Sequence, residues 1–227
     1  KTNSVTADMI ENVERVLEEA DLPYLSKEVP GAIEQSLEGI QQVSKIIRAM
    51  RRFSHPGNDR KVEMDINQAL ESTVTVARNE WKYVAEMETD FHPDLPPVPC
   101  FPAEMNQVFL NLIINAAHAI GEAGGDGRKG KGRITVTTRN DGDSVIITIG
   151  DTGGGIPEKI RNRIFDPFFT TKDVGKGTGQ GLAIARNVVV KKHGGALRFE
   201  TGKGQGTTFV VELPLNDTEE RSPEDET

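Results

Sequence analysis

Asn111-Leu-Ile-Ile-Asn115 and three stretches that follow it are the strongest indication of the fold of this chain. These are Asp151-Thr-Gly-Gly-Gly155, Phe165-Asp-Pro-Phe-Phe-Thr-Thr-Lys172 and Gly177-Thr-Gly-Gln-Gly181. Each stretch is a weak signal alone, because a glycine cluster is more often a turn than a phosphate cradle. Their order within one domain's length predicts a single nucleotide site to which all four contribute.

The two asparagines of the first stretch are either a magnesium site or ordinary exposed polar positions of a helix. Asn111 and Asn115 are four residues apart in a predicted helix, so both side chains project from one helix face. Their amide oxygens suit Mg²⁺, a hard cation that is commonly shared with substrate phosphates. His118 lies one turn further on, where we expect it to face the nucleotide as a phosphate contact.

The second stretch predicts an adenine pocket. Asp151 follows a predicted buried strand, and its carboxylate can accept a hydrogen bond from the exocyclic amino group of adenine. Gly153 and Gly155 allow close approach of the backbone to the base, and Ile156 is placed to pack beside it.

The last two stretches predict a lid and an anion site. Phe165, Phe168 and Phe169 are expected to form the hinge and anchor of the lid. Lys172 is expected to lie near the phosphates, and residues 173–178 to order when nucleotide binds. The glycines of Gly177-Thr-Gly-Gln-Gly181 lead into a predicted helix, whose unpaired N–H groups favour a polyphosphate.

In this order the four stretches resemble the N, G1, F and G2 boxes of sensor histidine kinases, the transmitters of two-component signalling. The resemblance covers nearly the whole chain and implies ATP and Mg²⁺ as ligands. It implies that Asn115 binds the metal, that Asn111, Asn115 and Lys172 are catalytic, and that Asp151 contacts adenine. The nucleotide site that it implies comprises Asn111, Asn115, His118, Asp151, Gly153, Gly155, Ile156, Phe165, Lys172, Gly177, Thr178, Gly179, Gln180, Gly181, Leu182 and Thr207.

Apolar periodicity predicts the rest of the fold. Strands are predicted near residues 61–66, 84–91, 134–138, 145–149, 196–201 and 207–213, and helices at 67–81, 103–121 and 180–193. The fold class is α+β, with a mixed sheet and helices on one face. The resemblance makes this an ATP-binding α/β sandwich of the Bergerat type, expected at residues 58–215.

Residues 1–57 predict a partial dimerisation and phosphotransfer segment. Two amphipathic helices carry apolar residues at three- and four-residue steps, with interruptions expected at Pro23 and Pro30. A homodimer that forms a four-helix bundle would bury both stripes, and a helical hairpin packed on the downstream domain is the alternative. The acidic tail at residues 216–227 is predicted to be disordered.

Position 111 distinguishes among relatives that share this ATP fold. Hydrolysing chaperone, topoisomerase and repair relatives carry glutamate there as a general base, whereas the amide of Asn111 has no useful basicity. The residue therefore favours transfer of the γ-phosphate to a protein side chain over hydrolysis. The resemblance implies that this side chain is a histidine and that the phosphoryl group is relayed to a response-regulator aspartate. The alternatives are a degenerate nucleotide-binding interaction module and a hydrolysing ATPase of the same superfamily.

The phosphoacceptor histidine does not match any of the four histidines in the sequence. The pattern of the family, a histidine followed by an acidic residue and Asn/Thr-Pro, is missing, and His55 beside Pro56 matches no acceptor position. We therefore expect the acceptor to precede residue 1. A basic face formed by Arg48, Arg51 and Arg52 is either a solvated surface or a docking site for an acidic receiver domain.

Composition sets the remaining limits. A net charge of −8 without a long basic run argues against general nucleic-acid binding. The single cysteine, Cys100, cannot form an intramolecular disulfide, and no apolar run reaches the length of a membrane span. We expect a cytoplasmic domain, with a membrane tether elsewhere in a longer protein left open.

Overall fold

The computed structural model describes residues 6–19, 22–53, 60–124, 130–172 and 178–216. Two compact units make up the chain, residues 1–47 and residues 48–227. The predictions for His55, for Gly177 and the lid at 173–177, and for the tail beyond residue 216 lie outside the described residues. So do the side chains of Arg48, Arg51 and Arg52.

The first unit is helical, as the sequence predicts. Helix α1 spans Ala7–Glu19 and helix α2 spans Leu22–Phe53. The predicted interruption at Pro30 is wrong, because this proline lies inside α2. A proline removes one backbone hydrogen bond, and a helix of 32 residues keeps the rest of its ladder. None of the helices in the described residues is long and apolar enough to cross a bilayer.

The second unit begins with a small two-stranded sheet and a capped helix. Strand β1, Val62–Met64, pairs antiparallel with β3, Val98–Cys100. Helix α3 spans Ile66–Val76, and the carboxylate of Asp65 caps it by accepting a hydrogen bond from the backbone N–H of Gln68 at 2.9 Å.

The single helix predicted over 67–81 is interrupted, and a short helix α4 follows at Arg78–Trp81. The last turns of α3 are rich in β-branched residues, which have low helix propensity. The hydroxyls of Thr73 and Thr75 also donate to carbonyls four residues back, a pattern that bends helices.

Five strands form the main sheet in the order β2-β4-β5-β7-β6. Their bounds are Ala85–Asp90 for β2, Gly132–Asn140 for β4, Ser144–Asp151 for β5, Ala196–Gly202 for β6 and Gly206–Pro214 for β7. Strands β2 and β4 are parallel and every other neighbouring pair is antiparallel. The predicted mixed sheet is therefore confirmed.

Helices cover one face of this sheet. Helix α5, Pro102–Ala123, packs on alternate residues that are buried along β4, β5 and β7, among them Ile134, Ile147 and Val211. Helix α6, Gly181–Arg186, continues as a π-helix over Asn187–Lys192, and a 3-10 helix spans Glu158–Arg163. Residues on the opposite sheet face, such as Thr137 and Thr148, remain half-buried. This arrangement brings the carboxyl end of β5 beside the middle of α5.

Candidate nucleotide-binding site

A cavity of about 350 Å³ brings together stretches that are far apart in the sequence. Its lining includes most of the residues that the sequence analysis assigned to the nucleotide site. These are Asn111, Asn115, His118, Asp151, Gly155, Ile156, Lys172, Thr178, Gly179, Gly181, Leu182 and Thr207. Gly153, Phe165 and Gln180 do not line the cavity, and Gly177 lies outside the described residues.

One face of helix α5 forms the floor of the cavity. Asn111, Asn115 and His118 lie on it, and Ala119 and Glu122 extend the same face toward the helix end. The sequence analysis missed the last two, although they continue the three- and four-residue steps that begin at Asn111. The cavity therefore also contains the carboxylate of Glu122, which belongs to none of the four stretches.

Asn111 links α5 to the glycine-rich stretch. Its Nδ2 donates to the carbonyl oxygen of Gly181 at 3.1 Å, and its Oδ1 accepts from Nε2 of Gln107 at 2.9 Å. A side chain at Gly181 would crowd the Asn111 amide. Gln180, which precedes α6, contributes its backbone carbonyl to Ile184 at 2.9 Å.

Asp151 lies at one end of the cavity, on the last residue of β5. Its Oδ1 accepts a hydrogen bond from the backbone N–H of Gly153 at 2.7 Å, and Thr207 faces it across the β5–β7 pair. Burial raises the pKa of Asp151, and backbone hydrogen bonds from Gly153 and Thr207 oppose that rise. A Cβ at Gly153 would collide with the backbone of Ala119, so a glycine is needed at the position whose N–H donates to Asp151.

An apolar wall faces α5 across the cavity. Gly155 turns the chain into this wall with a φ of 74°, and a Cβ there would overlap the carbonyl oxygen of Gly202. The wall itself consists of Ile156, Ile160, Ile164, Leu182 and Phe209. The sequence analysis identified only two of these, although Ile156, Ile160 and Ile164 recur at four-residue steps. An apolar surface together with a half-buried carboxylate is suited to a purine base.

Phe165 was predicted to contact the nucleotide, and the structure places it elsewhere. Its ring packs against Phe199, with ring centroids 5.9 Å apart, and the guanidinium of Arg186 lies 5.3 Å from its ring centre. Phe169 lines the cavity instead, with the guanidinium of Arg163 at 4.5 Å over its ring. The segment folds so that Phe165 joins the edge of the core, and four residues later Phe169 reaches the site.

Lys172 reaches the asparagine end of the cavity. Its Nζ lies 2.6 Å from Nδ1 of His118 and 3.5 Å from Oδ1 of Asn115. Burial lowers the pKa of Lys172, while the nearby Glu122 raises it. The pKa of His118 is lowered by burial and by Lys172, and is raised by Glu80 and Glu122. Because the Lys172 ammonium lies near Oδ1 of Asn115, there is room for a cation beside this oxygen.

The comparisons with known proteins agree with this geometry. Residues 102–217 match the family of histidine kinase-, DNA gyrase B- and HSP90-like ATPases, which is about half of the chain. The chain belongs to this ATPase family. The matched region contains α5, β4 to β7 and every residue that lines the cavity, so the cavity lies in an ATP-binding domain.

Proteins similar to this chain include sensor kinases. The chain is 32% identical over 201 residues to sensor kinase CckA of Brucella abortus (strain 2308) and 31% identical over 186 residues to the histidine-protein kinase AtoS of Escherichia coli (strain K12). These matches cover 82% and 79% of this chain, but only 20% and 28% of the relatives. The chain therefore spans less than a third of each relative's length.

A solved structure supports the same assignment. The catalytic domain of the histidine kinase ThkA superposes with a TM-score of 0.57 at 25% identity, over 68% of this chain and 95% of that domain. The resemblance to sensor histidine kinases is confirmed, as is the α+β fold with a mixed sheet.

Proposed function

We propose that this chain is the catalytic region of a sensor histidine kinase, which binds Mg·ATP and transfers its γ-phosphoryl group to a histidine. The observation that supports this is the convergence of Asp151, Asn115 and Lys172 on one cavity. These three residues come from three separate stretches, and they supply the groups that adenine, a metal ion and a polyphosphate each require.

Adenine is the base that suits the Asp151 end. Asp151 has a hydrogen-bond donor at Gly153 on one side, and its carboxylate borders the cavity on the other. A carboxylate accepts from the amino group of adenine and is repelled by the carbonyl oxygen that guanine carries at the same place. Ile156 and Phe209 provide the apolar surface for the base.

The phosphates and Mg²⁺ suit the other end. Asn115 would hold the metal through Oδ1, the oxygen that the Lys172 ammonium approaches at 3.5 Å. When bound, Mg²⁺ would neutralise charge on the β- and γ-phosphates. Lys172 supplies a second positive charge on the same side of the cavity, and we assign it to the phosphate oxygens.

Transfer to a histidine fits this site better than hydrolysis does. In the proposed step an imidazole nitrogen forms a bond to the γ-phosphorus, the bond to the β–γ bridging oxygen breaks, and ADP leaves. Hydrolysis needs a base to take a proton from water, and the Asn111 amide at the family's base position cannot do so. Its amide is instead bonded to Gly181 and Gln107.

Two measurements test the proposal. Calorimetric titration of the chain with a non-hydrolysable ATP analogue, with and without Mg²⁺, should give saturable binding that Asp151→Asn weakens. Incubation of a longer version of the protein with γ-labelled ATP should label a histidine that precedes residue 1. Binding without transfer would favour the degenerate interaction module, fast phosphate release by the chain alone would favour a hydrolase, and label on His55 would overturn the expected acceptor position.

The first unit is assigned to homodimerisation. In this chain α1 exposes Met9 and Val13, and α2 exposes Ile33 and Leu37, with about half of each side chain accessible. Apolar stripes of this kind are buried when two helical hairpins form a four-helix bundle. We expect the chain to be dimeric by light scattering, and Val13→Lys to make it monomeric while nucleotide binding persists. Glu11→Lys, which adds the same side chain on the same helix, is the control.

The remaining assignments follow from the same role. A response-regulator receiver domain is the partner that would take the phosphoryl group onto an aspartate. Receiver domains and ATP are cytoplasmic, so the catalytic region is assigned to that compartment. The proposed domains are a dimerisation segment at residues 1–57 and a catalytic domain at residues 58–215.

A further inference from the structure

The contact between Lys172 and His118 fixes the state of the imidazole. The ammonium of Lys172 carries only donors, so at 2.6 Å Nδ1 of His118 must be the acceptor. The single proton of the neutral ring is then on Nε2. That nitrogen faces Oε2 of Glu80 at 3.8 Å, across the other edge of the ring. This separation exceeds hydrogen-bond length, so the bond that fixes the ring is the one between Nδ1 and Lys172.

The surrounding charges are consistent with a neutral imidazole beside a charged lysine. Burial and the neighbouring Lys172 lower the pKa of His118, so the ring is uncharged at neutral pH. Burial lowers the pKa of Lys172, and Glu122 in the floor of the cavity opposes that shift. Glu80 comes from α4, outside all four stretches that define the site.

We propose that His118 is a positioning residue that acts on the nucleotide through Lys172. Nδ1 of His118 holds the ammonium beside the amide oxygen of Asn115, which leaves the ring proton on Nε2, 3.8 Å from the Glu80 carboxylate. This differs from a direct contact between His118 and a phosphate, which the sequence alone suggests. The inference depends on the proposed function, because the ligand that Lys172 serves is the nucleotide polyphosphate.

The geometry explains why a histidine suits this position. An unanchored lysine loses rotamer freedom when a ligand fixes it. The imidazole of His118 already accepts one of the three protons of the Lys172 ammonium, so part of this rotamer freedom is lost before the ligand arrives. The other two protons remain available to phosphate oxygens. A lysine or arginine at position 118 would instead repel Lys172, since both side chains are cationic.

A double-mutant cycle on the full chain tests the inference. Calorimetry would give the dissociation constant of a non-hydrolysable Mg·ATP analogue for the wild type, His118→Phe, Lys172→Met and the double variant. Loss of a charge-assisted hydrogen bond predicts that Lys172→Met weakens binding about tenfold or more. His118→Phe should weaken binding several-fold in the wild-type background and by less than about twofold in the Lys172→Met background.

A conservative variant and a control complete the cycle. His118→Gln, whose amide oxygen can accept from Lys172, should recover most of the affinity that His118→Phe loses. Lys191→Met makes the same change as Lys172→Met at an exposed position of the π-helix and should bind like wild type. An equal loss from His118→Phe in both backgrounds would mean that His118 contacts the nucleotide itself and would overturn the inference, as would no loss in either.

The tautomer can be measured without any nucleotide. Long-range proton–nitrogen spectra of the wild-type chain should show Nε2 of His118 protonated and Nδ1 unprotonated, and Lys172→Met should shift the Nδ1 resonance. A ring protonated at Nδ1 would rule out the inference and leave the proposed function intact. A wild-type chain that showed the expected tautomer but bound no ATP analogue would instead contradict the proposed function.

Discussion

Nδ2 of Asn111 donates to the carbonyl oxygen of Gly181 at 3.1 Å, and this bond joins the middle of α5 to the first residue of α6. The residues are 70 positions apart, in the first and last of the four stretches that define the site. An amide can donate this bond and a carboxylate cannot. Asn111 therefore has a structural task in addition to its lack of basicity.

Replacing this amide by an acid should weaken nucleotide binding without creating a hydrolase. In Asn111→Asp the carboxylate would face the Gly181 carbonyl oxygen, and one lost hydrogen bond plus the repulsion corresponds to about 1–3 kcal/mol. We expect about a tenfold loss of affinity for the ATP analogue and no rise in phosphate release. Asn187→Asp, the same change at an exposed position of the π-helix, is the control. A faster steady release of phosphate would show that position 111 alone determines the reaction.

Removing the charge of Asp151 should separate binding from stability. Burial raises the pKa of this carboxyl, so folding disfavours its charged form relative to the unfolded chain. Because the folded-state pKa lies above the unfolded one, this residue's contribution to stability improves as pH falls through the raised value. Asp151→Asn removes the buried charge, so the melting temperature should not fall.

Nucleotide selectivity should fall in the same variant. Loss of a hydrogen bond to a charged acceptor is worth about 1.5–3 kcal/mol, or at least tenfold in the affinity for ATP. Competition titrations with GTP should show a smaller preference for ATP in Asp151→Asn than in wild type, while Asp143→Asn on the exposed β4–β5 turn should change neither quantity. An unchanged preference would place the base elsewhere in the cavity.

Replacing Phe165 should mainly lower stability, whereas replacing Phe169 should mainly weaken nucleotide binding. Phe165 packs against Phe199 at the edge of the core, so Phe165→Ala should lower the free energy of unfolding by about 2 kcal/mol, less than for a fully buried ring. Phe169 lines the cavity, so Phe169→Ala should mainly raise the dissociation constant of the ATP analogue. Denaturant melts and calorimetry on both variants test this, and equal profiles would contradict the assignment.

Sequence reasoning named most of the polar residues that line the cavity because they belong to short stretches with a distinctive composition. Asn115, Asp151 and Lys172 could be placed together by motif order, and the alternating strands predicted the sheet. Glu122 lay within reach of the same method, since it continues the face of α5. The exchange of Phe165 for Phe169 could not be read from composition, because it depends on which ring the chain turns toward Phe199.

Two helix predictions were wrong, each for a local reason. Pro30 was expected to end a helix, but in a long helix one missing hydrogen bond does not decide the outcome. The interruption near Ala77 was missed because the apolar repeat continues through it. Threonine hydroxyls that bond to the preceding turn give no signal in a hydropathy pattern.

His193 connects two helices that carry the site, and it does so only as a neutral ring. Nε2 accepts from the backbone N–H of Phe101, which precedes α5, at 3.0 Å, and Nδ1 donates to the carbonyl oxygen of Val188 at 2.8 Å. Protonation of Nε2 would break the first bond. Burial lowers the pKa of His193, with Lys61 and Lys192 acting in the same direction and Glu104 and the Val188 bond against it.

The sign of the pH effect follows from this depressed pKa. Below the unfolded-state value of about 6.5 the unfolded chain binds a proton that the folded chain does not, so stability falls as pH decreases from there toward the folded-state pKa. The slope from one such group is at most about 1.4 kcal/mol per pH unit. Urea melts between pH 7.5 and 5 should therefore show a steeper loss of stability for wild type than for His193→Gln, whose neutral amide does not titrate. Parallel curves for the two proteins would mean that another group is responsible for the loss.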